Sequence, residues 1–261
     1  MQIGKAGTPT SRIAQAYPDR VEVRGRDLCG DLMGRLSFTE YFHLLLTGRE
    51  PTDEQRFFLD LLLVAIAEHG MMPTNVAARM TLDAAPESLQ GAVAAGILGC
   101  GPVILGTAES CARLLVELQA EVAAGGDPAV VAGAAARTIH GAGEKAPGFG
   151  HPVHRPTDPR TERILELADS HGVSGPHVLL ARTLREAVAA TWGKPLPMNV
   201  SLPIAAVLLD LGFEQSVVKS IPLLARTASL LAHLAEEREH PIGFLMAGKA
   251  EEAIVYEPEG A

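Results

Sequence analysis

Aromatic side chains are scarce in this sequence, at 4% of residues, although 47% are hydrophobic. A core must therefore be assembled mainly from Ala, Leu, Val and Ile, a palette that suits closely packed helices. Period-2 alternation with β-branched residues is nearly absent, except in short pieces near each terminus, which argues against a sheet-based fold. Positive charge is also short: 22 Lys and Arg against 31 Asp and Glu give a net charge of −9. A broad nucleic-acid surface needs clustered positive charge, so no nucleic-acid partner is expected. Cysteines number three, Cys29, Cys100 and Cys111. No Cys or His falls at metal-finger spacing, so neither a disulfide framework nor a metal site is expected, and the thiols read as reduced in a cytoplasmic protein. Apolar runs such as FFLDLLLVAIAEHG are broken by charge and fall short of the ~20 residues of a membrane span, so no membrane partner is expected. The opening MQIGKAGTPTSRIAQAYPDR lacks a basic and apolar signal and reads as a poorly ordered lead-in. There is no P-loop, no GxGxxG, no Gly-x-Ser-x-Gly and no repeat of 20–50 residues.

What is present is helix punctuation. The 261 residues suffice for one domain or two closely packed ones. SFTEYFHLLLTG opens on Ser37 with Glu40 three residues later and closes on Gly48, a capping-box helix with a glycine stop. A second helix is expected to end at Gly70. Further helices are expected at 74–84, 86–99, 106–124, 128–138, 158–171, 176–192, 201–211, 214–219 and 221–237. Pro86 is placed in a first turn. Gly91, Ala94, Ala95 and Gly96 would let their helix approach a neighbour closely. The fold class is all-α.

Among nine histidines, most sit where an imidazole is ordinary: His43 inside an apolar helix, His140, His171 and His177 at ends or turns, His240 in a charged tail. Four segments differ because rigid punctuation meets polar groups. EHGMMPTNVAAR puts His69 at a helix C-terminus, where the dipole favours a protonated ring. PGFGHPVHRPTDPR, residues 147–160, crowds four prolines and two glycines around His151, His154, Arg155 and Arg160. Helix and strand both tolerate such a run badly. Asp158 is placed to cap a helix with Pro159 in its first turn and Arg160 just inside. KPLPMNVSLP brings Asn199 and Ser201 before a helix. LLARTASLLAHLAEE places Arg226 and His233 in an apolar helix, where a guanidinium needs a carboxylate from protein or ligand. Two arginines and two histidines in stiff settings point to a small polyanion, and a di- or tricarboxylate fits the bidentate arginine fork. Residue chemistry alone names no reaction.

At these same segments the sequence resembles the citrate synthase superfamily. VRGRDLCGDLMGRLSFTEYFHLLLTGREPT, EHGMMPTNVAAR, GAVAAGILGCGP, PGFGHPVHRPTDPR, MNVSLPIAAVLLDLG and ARTASLLAHLAEE are similar to six of its blocks, in order and spacing. The resemblance implies a two-domain helical fold. The large domain would comprise 1–105 and 216–261, and a small one, 106–215, would close over the site. It implies that His69, Arg160 and Arg226 hold carboxylates of oxaloacetate or citrate, with Asn199 beside them. His151 would meet the oxaloacetate carbonyl or the tertiary hydroxyl of a citryl group. Backbone at Ala146, Pro147, Gly148, Phe149 and Gly150 would approach coenzyme A. The thioester is a substrate, and no tightly bound cofactor is implied. Helices 74–99 are candidates for a homodimer interface.

The resemblance stops at the acyl half. Where the synthases carry a histidine in a GPLHGGAN-like turn, this chain reads GPVILGTAE, with Ile104 in that place. Where they carry the aspartate that removes a methyl proton, this chain has Ser201, a far weaker base. The missing histidine, the short chain and AEHG in place of ADHE resemble the citryl-CoA lyase-like branch. The implied activity is cleavage or formation of the C–C bond between an acetyl-CoA unit and oxaloacetate or a related 2-oxo acid. The alternatives are a citrate or 2-methylcitrate synthase-type condensing enzyme, or an impaired carboxylate- and CoA-binding pseudoenzyme.

Overall fold

The computed structural model describes residues 9–258. Eleven α-helices and one three-stranded antiparallel sheet make up its main elements among the described residues. Residues 1–8 of the expected lead-in lie outside the described residues, but the rest of it is not all loose chain. β1 (Ala14–Ala16) pairs with β2 (Val21–Val23), and β2 with β3 (Arg26–Asp27). A π-helical turn, Leu28–Leu32, follows, its Gly30 N–H taken by the Asp27 carboxylate.

The chain divides into two compact units, one up to Asp60 and one from Leu61 on. In the first, α1 (Phe38–Thr47) starts and stops as its sequence predicts. Ser37 and Glu40 exchange capping hydrogen bonds, and Gly48 ends the helix at φ 79°. Val23, Leu32 and Leu44 form the buried cluster of this unit. His43 is buried, with Nδ1 2.8 Å from the Arg49 carbonyl, as expected of a satisfied core histidine.

α2 (Asp53–Ala67) runs across the division between the units. In the second unit, α3 (Pro73–Ala84), α4 (Leu89–Leu98) and α10 (Ser220–Glu239) share a core of Ala78, Leu82, Ala92, Leu230 and Leu234. The small residues of α4 serve this packing: a Cβ on Gly96 would lie 2.7 Å from Leu230. α4 begins later than its sequence suggests, and Pro86 sits in the turn before it. α5 (Thr107–Ala123), α7 (Pro159–Ser170) and α8 (Pro176–Trp192) pack on α9 (Ser201–Asp210), and α6 (Pro128–Gly141) packs on α8 and α5. Residues 201–208 of α9 are all buried, which fits its apolar circumference. The stretch expected as helix 214–219 is a short 3₁₀ turn, Gln215–Val217.

Two expectations need correcting. The tail forms a helix, α11 (Gly243–Ala253), and no strand, because Glu237 takes the Ile242 and Gly243 N–H groups and starts it on α3. Gln215–Glu239 is, by length and composition, apolar enough to cross a membrane. Here it buries Ile221, Ala225, Leu230 and Leu234 as a core helix. All three cysteines are free thiols, Cys29 exposed and the other two buried.

Candidate active site

The proline-rich loop is held from two sides. Asp158 caps α7 by accepting the Arg160 N–H at 3.1 Å, with Pro159 in the first turn, as the sequence predicts. The same carboxylate, fully buried, also grips the Arg160 side chain at Nε (3.0 Å) and Nη2 (2.8 Å). Burial pushes the Asp158 pKa up, but the guanidinium outweighs it and holds the group below its usual range. At the other end, Phe149 bridges Met198, and the Asn199 N–H donates to the Gly148 carbonyl at 2.8 Å. The Asn199 side chain donates to the Gly150 carbonyl and accepts the Ser201 N–H, both at 3.1 Å. Asn199 therefore staples the loop to the start of α9. Gly148, at φ 81°, is required twice over, since a Cβ there would lie 2.6 Å from Leu202 and 3.0 Å from Cys111.

A cavity of about 500 Å³ opens in the second unit, and His69, His151, Arg160, Asn199, Ser201 and Arg226 all line it. Its size suits a small ligand, for which roughly 300–1,000 Å³ is usual. The six side chains expected to bind or act on a substrate thus meet at one place. Of the five residues expected beside coenzyme A, only Gly150 reaches the lining. Ala146, Gly148 and Phe149 are buried and Pro147 half-buried, so they support the loop from behind.

A third imidazole joins the first two. His69 Nε2 is 3.0 Å from His154 Nε2, and both their rings and that of His151 lie within 5.1 Å centroid to centroid. His151 Nδ1 accepts N–H bonds from Val153 (3.1 Å) and His154 (2.9 Å). That nitrogen therefore carries the lone pair, and the neutral ring holds its proton on Nε2. The three rings have nitrogens within 4.8 Å of one another, close enough to hold a metal ion. The occupied Nδ1 and protonated Nε2 of His151, with Arg160 nearby, instead fit a hydrogen-bonded cluster. Burial lowers the pKa of His69 and His151, and the neighbouring rings and Arg160 lower it further. Burial and the nearby Arg160 thus work against the protonated His69 that the helix dipole favours.

Arg226 is 2% exposed. Its Nη1 donates to Asn75 Oδ1 at 2.8 Å, while its buried Nε has no partner among the described residues. Burial lowers its pKa, and Glu68 opposes that only through charge. The carboxylate partner that sequence reasoning demanded is thus not hydrogen-bonded to it from the protein. Around it lies a polar network of which sequence reasoning had singled out only His233. Glu68 accepts the Ser229 hydroxyl at 2.5 Å, the His233 Nε2–H at 2.9 Å and the N–H groups of His69 and Gly70. Burial raises the Glu68 pKa, but these donors hold it below the usual range. The fully buried Arg79 donates Nε–H to His233 Nδ1 at 3.0 Å, which fixes that ring's proton on Nε2, and ion-pairs with Glu237 (2.5 Å) and Glu236. Polar residues spaced along the otherwise apolar faces of α3 and α10 were the available signal.

The facing side of the cavity has none of this. Val103, Ile104 and Leu105 line it on a tight turn in which Ile104 and Gly106 donate N–H bonds to the Gly101 carbonyl. Leu105 adopts φ 64° there, a conformation that costs a branched side chain about 1–2 kcal/mol. Ser201, 9% exposed, opens α9 beside it.

Residues 11–243 match the family described as citrate synthase, C-terminal domain. The chain belongs to the citrate synthase family. Citrate synthase 2 of Bacillus subtilis is 26% identical over 203 residues, covering 77% of this chain and 52% of that protein. The chain spans about half the length of the curated citrate synthases it matches. Among solved structures, citryl-CoA lyase from Hydrogenobacter thermophilus superposes with a TM-score of 0.84 at 28% identity, covering 98% of this chain and 96% of that one. ATP citrate lyase from Methanothrix soehngenii, solved with citrate and coenzyme A, gives 0.77 at 21% identity over 99% of this chain and 43% of that one. The all-α, citrate synthase-like fold expected from sequence is the fold observed.

Proposed function

We propose that this member of the citrate synthase family is a citryl-CoA lyase-like enzyme, cleaving a citryl-type thioester into an acetyl-CoA unit and oxaloacetate or a related 2-oxo acid. One observation carries the reading: Arg226, a buried guanidinium with one amide partner, lines the same cavity as Arg160, His69 and His151. A dry cation so placed is stabilised by a ligand carboxylate. Near-complete mutual coverage with the Hydrogenobacter lyase supports the lyase direction.

In this scheme Arg226 and Arg160 hold carboxylates, and His151 offers Nε2–H to the oxygen on the reacting carbon. A donor there steadies an alkoxide or carbonyl oxygen as the C–C bond breaks. Because its Nδ1 is taken by backbone N–H groups, neutral His151 does not itself remove the hydroxyl proton. A water takes it as the C–C bond breaks, and the enolate carbon regains one from water, so the proton count balances. The departing enolate meets Ile104 and Ser201, which offer no strong acid or base, so turnover is expected to be slow. Closure of a small domain, residues 106–215, over a large one would exclude water from the enolate. The reading extends to a cytoplasmic homodimer built on α3 and α4, where Leu98 is 86% exposed.

Incubation with citryl-CoA, and separately with acetyl-CoA plus oxaloacetate, tests it by following oxaloacetate and free thiol. Release of acetyl-CoA and oxaloacetate from citryl-CoA is expected, and no turnover in either direction with citrate still bound sinks it. That last outcome is the second reading, a carboxylate- and CoA-binding pseudoenzyme. It is favoured by Ile104 and Ser201 lining the cavity where catalytic groups would stand.

A further inference from the structure

His154 sits one step behind the cavity wall, three residues after His151. It is not a lining residue, yet its ring touches one that is: Nε2 of His154 lies 3.0 Å from Nε2 of His69. At that separation one nitrogen carries a proton and the other a lone pair, since two N–H groups or two lone pairs would repel. The loop fixes His154 in place. Its backbone N–H is bound to His151 Nδ1 at 2.9 Å, and its ring lies 4.4 Å from that of His151 with a tilt of 31°.

We propose that His154 is a positioning residue for substrate binding: its Nε2–H donates to Nε2 of His69 and fixes His69 as the Nδ1–H tautomer, which offers that N–H to a carboxylate in the cavity. For its ligand the inference rests on the polycarboxylate reading above; its geometry rests on the contact between the two rings. The direction of the bond follows from the surroundings. Arg160, Arg226 and the His151 ring face His69 across the cavity, while the two nearby carboxylates are engaged: Asp158 with Arg160, and Glu68 with Ser229, His233 and backbone N–H groups. Half-buried, and close to Arg160, the His69 ring has its pKa lowered, which favours its neutral form. A neutral ring that meets an anion must present its N–H. With Nε2 turned to His154, the nitrogen left for a ligand is Nδ1, so Nε2 must be the acceptor. The same logic orders ligand histidines elsewhere, where a second group sets the tautomer of the first.

Imidazole ¹⁵N NMR on the ligand-free protein tests this half directly. Near pH 7.5 the expected pattern is His69 protonated at Nδ1 and bare at Nε2, with His154 protonated at Nε2; the reverse pattern overturns it. Citrate titration calorimetry tests the consequence. His154→Phe fills similar space without a donor and is expected to weaken citrate binding roughly tenfold. His154→Gln, whose amide N–H reaches toward the same nitrogen, is expected to recover most of the loss. A purely packing role would rank Phe above Gln, and that order overturns the proposal. If the wild-type protein binds neither citrate nor oxaloacetate, the ligand half falls with the reading it rests on, while the NMR pattern still decides the bond between the rings.

Discussion

On the cavity side formed by His69, His151, Arg160 and Arg226, each side chain is held by another polar group: His154, backbone N–H groups, Asp158 and Asn75. On the side formed by Val103, Ile104, Leu105 and Ser201, packing and a tight turn do the holding. The contrast separates two tasks. Binding a polyanion needs fixed donors whose geometry is set before the ligand arrives. Managing an enolate needs a titratable group near the acyl carbon, and this side supplies only a hydroxyl.

The sharpest way to break the contrast is to equip the poor side. Ser201→Asp with Ile104→His is expected to raise condensation of acetyl-CoA with oxaloacetate by roughly 10²–10⁴-fold, the usual worth of a general acid or base. Position 201 opens α9, where the helix N-terminus favours a carboxylate. Thiol release with oxaloacetate present measures it. Unchanged turnover would mean that the two sides differ by more than these side chains.

Stripping the rich side should do the opposite to binding and a different thing to stability. Arg226→Met is expected to weaken citrate binding by about 2–5 kcal/mol, roughly 30- to 4,000-fold in Kd. The ligand-free variant should melt higher, since a buried guanidinium with one amide partner costs stability that a methionine does not. Calorimetry reads both. A lower melting point together with weaker binding would show that the protein network, and not a ligand, is what Arg226 serves.

How far the sequence revealed this comparison depends on range. Local signals read well: Ser37 and Glu40 at one cap, Asp158 and Pro159 at another, and Gly48 as a stop all sit as predicted. The six polar cavity residues were legible because rigid breakers flank most of them. Long-range partners were not. Nothing near Arg79 in sequence announces Glu236 and Glu237 on α10, and nothing near Asn75 announces Arg226. His154, named beside His151 but given no role and expected to face solvent or coenzyme A phosphates, instead meets His69, 85 residues away. Short strand pieces were expected near each terminus and occur near the first, whereas α11 was missed because docking on α3 sets it more than local pattern does.

Two glycines of the loop sharpen the comparison at a smaller scale. Gly148 and Gly150 share a left-handed backbone, at φ 81° and 86°. Only at Gly148 would a Cβ strike a neighbour, Leu202 at 2.6 Å, whereas Gly150 faces open space. Gly150→Ala should therefore cost only the backbone penalty of about 1–2 kcal/mol. Gly148→Ala adds overpacking of typically 1–3 kcal/mol. Urea unfolding of both variants tests this, and equal losses would show that Leu202 and Cys111 yield freely.

The smallest expected effect is on pH dependence. The pKa values of His43, His69 and His151 are all lowered, in each case first by burial. The unfolded chain, with histidines near 6.5, then binds more protons than the folded one as pH falls below that value. Their contribution to stability is complete above about pH 6.5 and is lost as pH drops toward the depressed folded values. Urea midpoints between pH 7.5 and 5.5 should decline, in a window above the titration of ordinary carboxylates. His69→Gln should flatten the decline by removing one of the three groups, whereas His43→Gln should flatten it without changing citrate affinity. A slope untouched by His69→Gln would mean that this ring is not held neutral, and that the rich side of the cavity keeps a charge there after all.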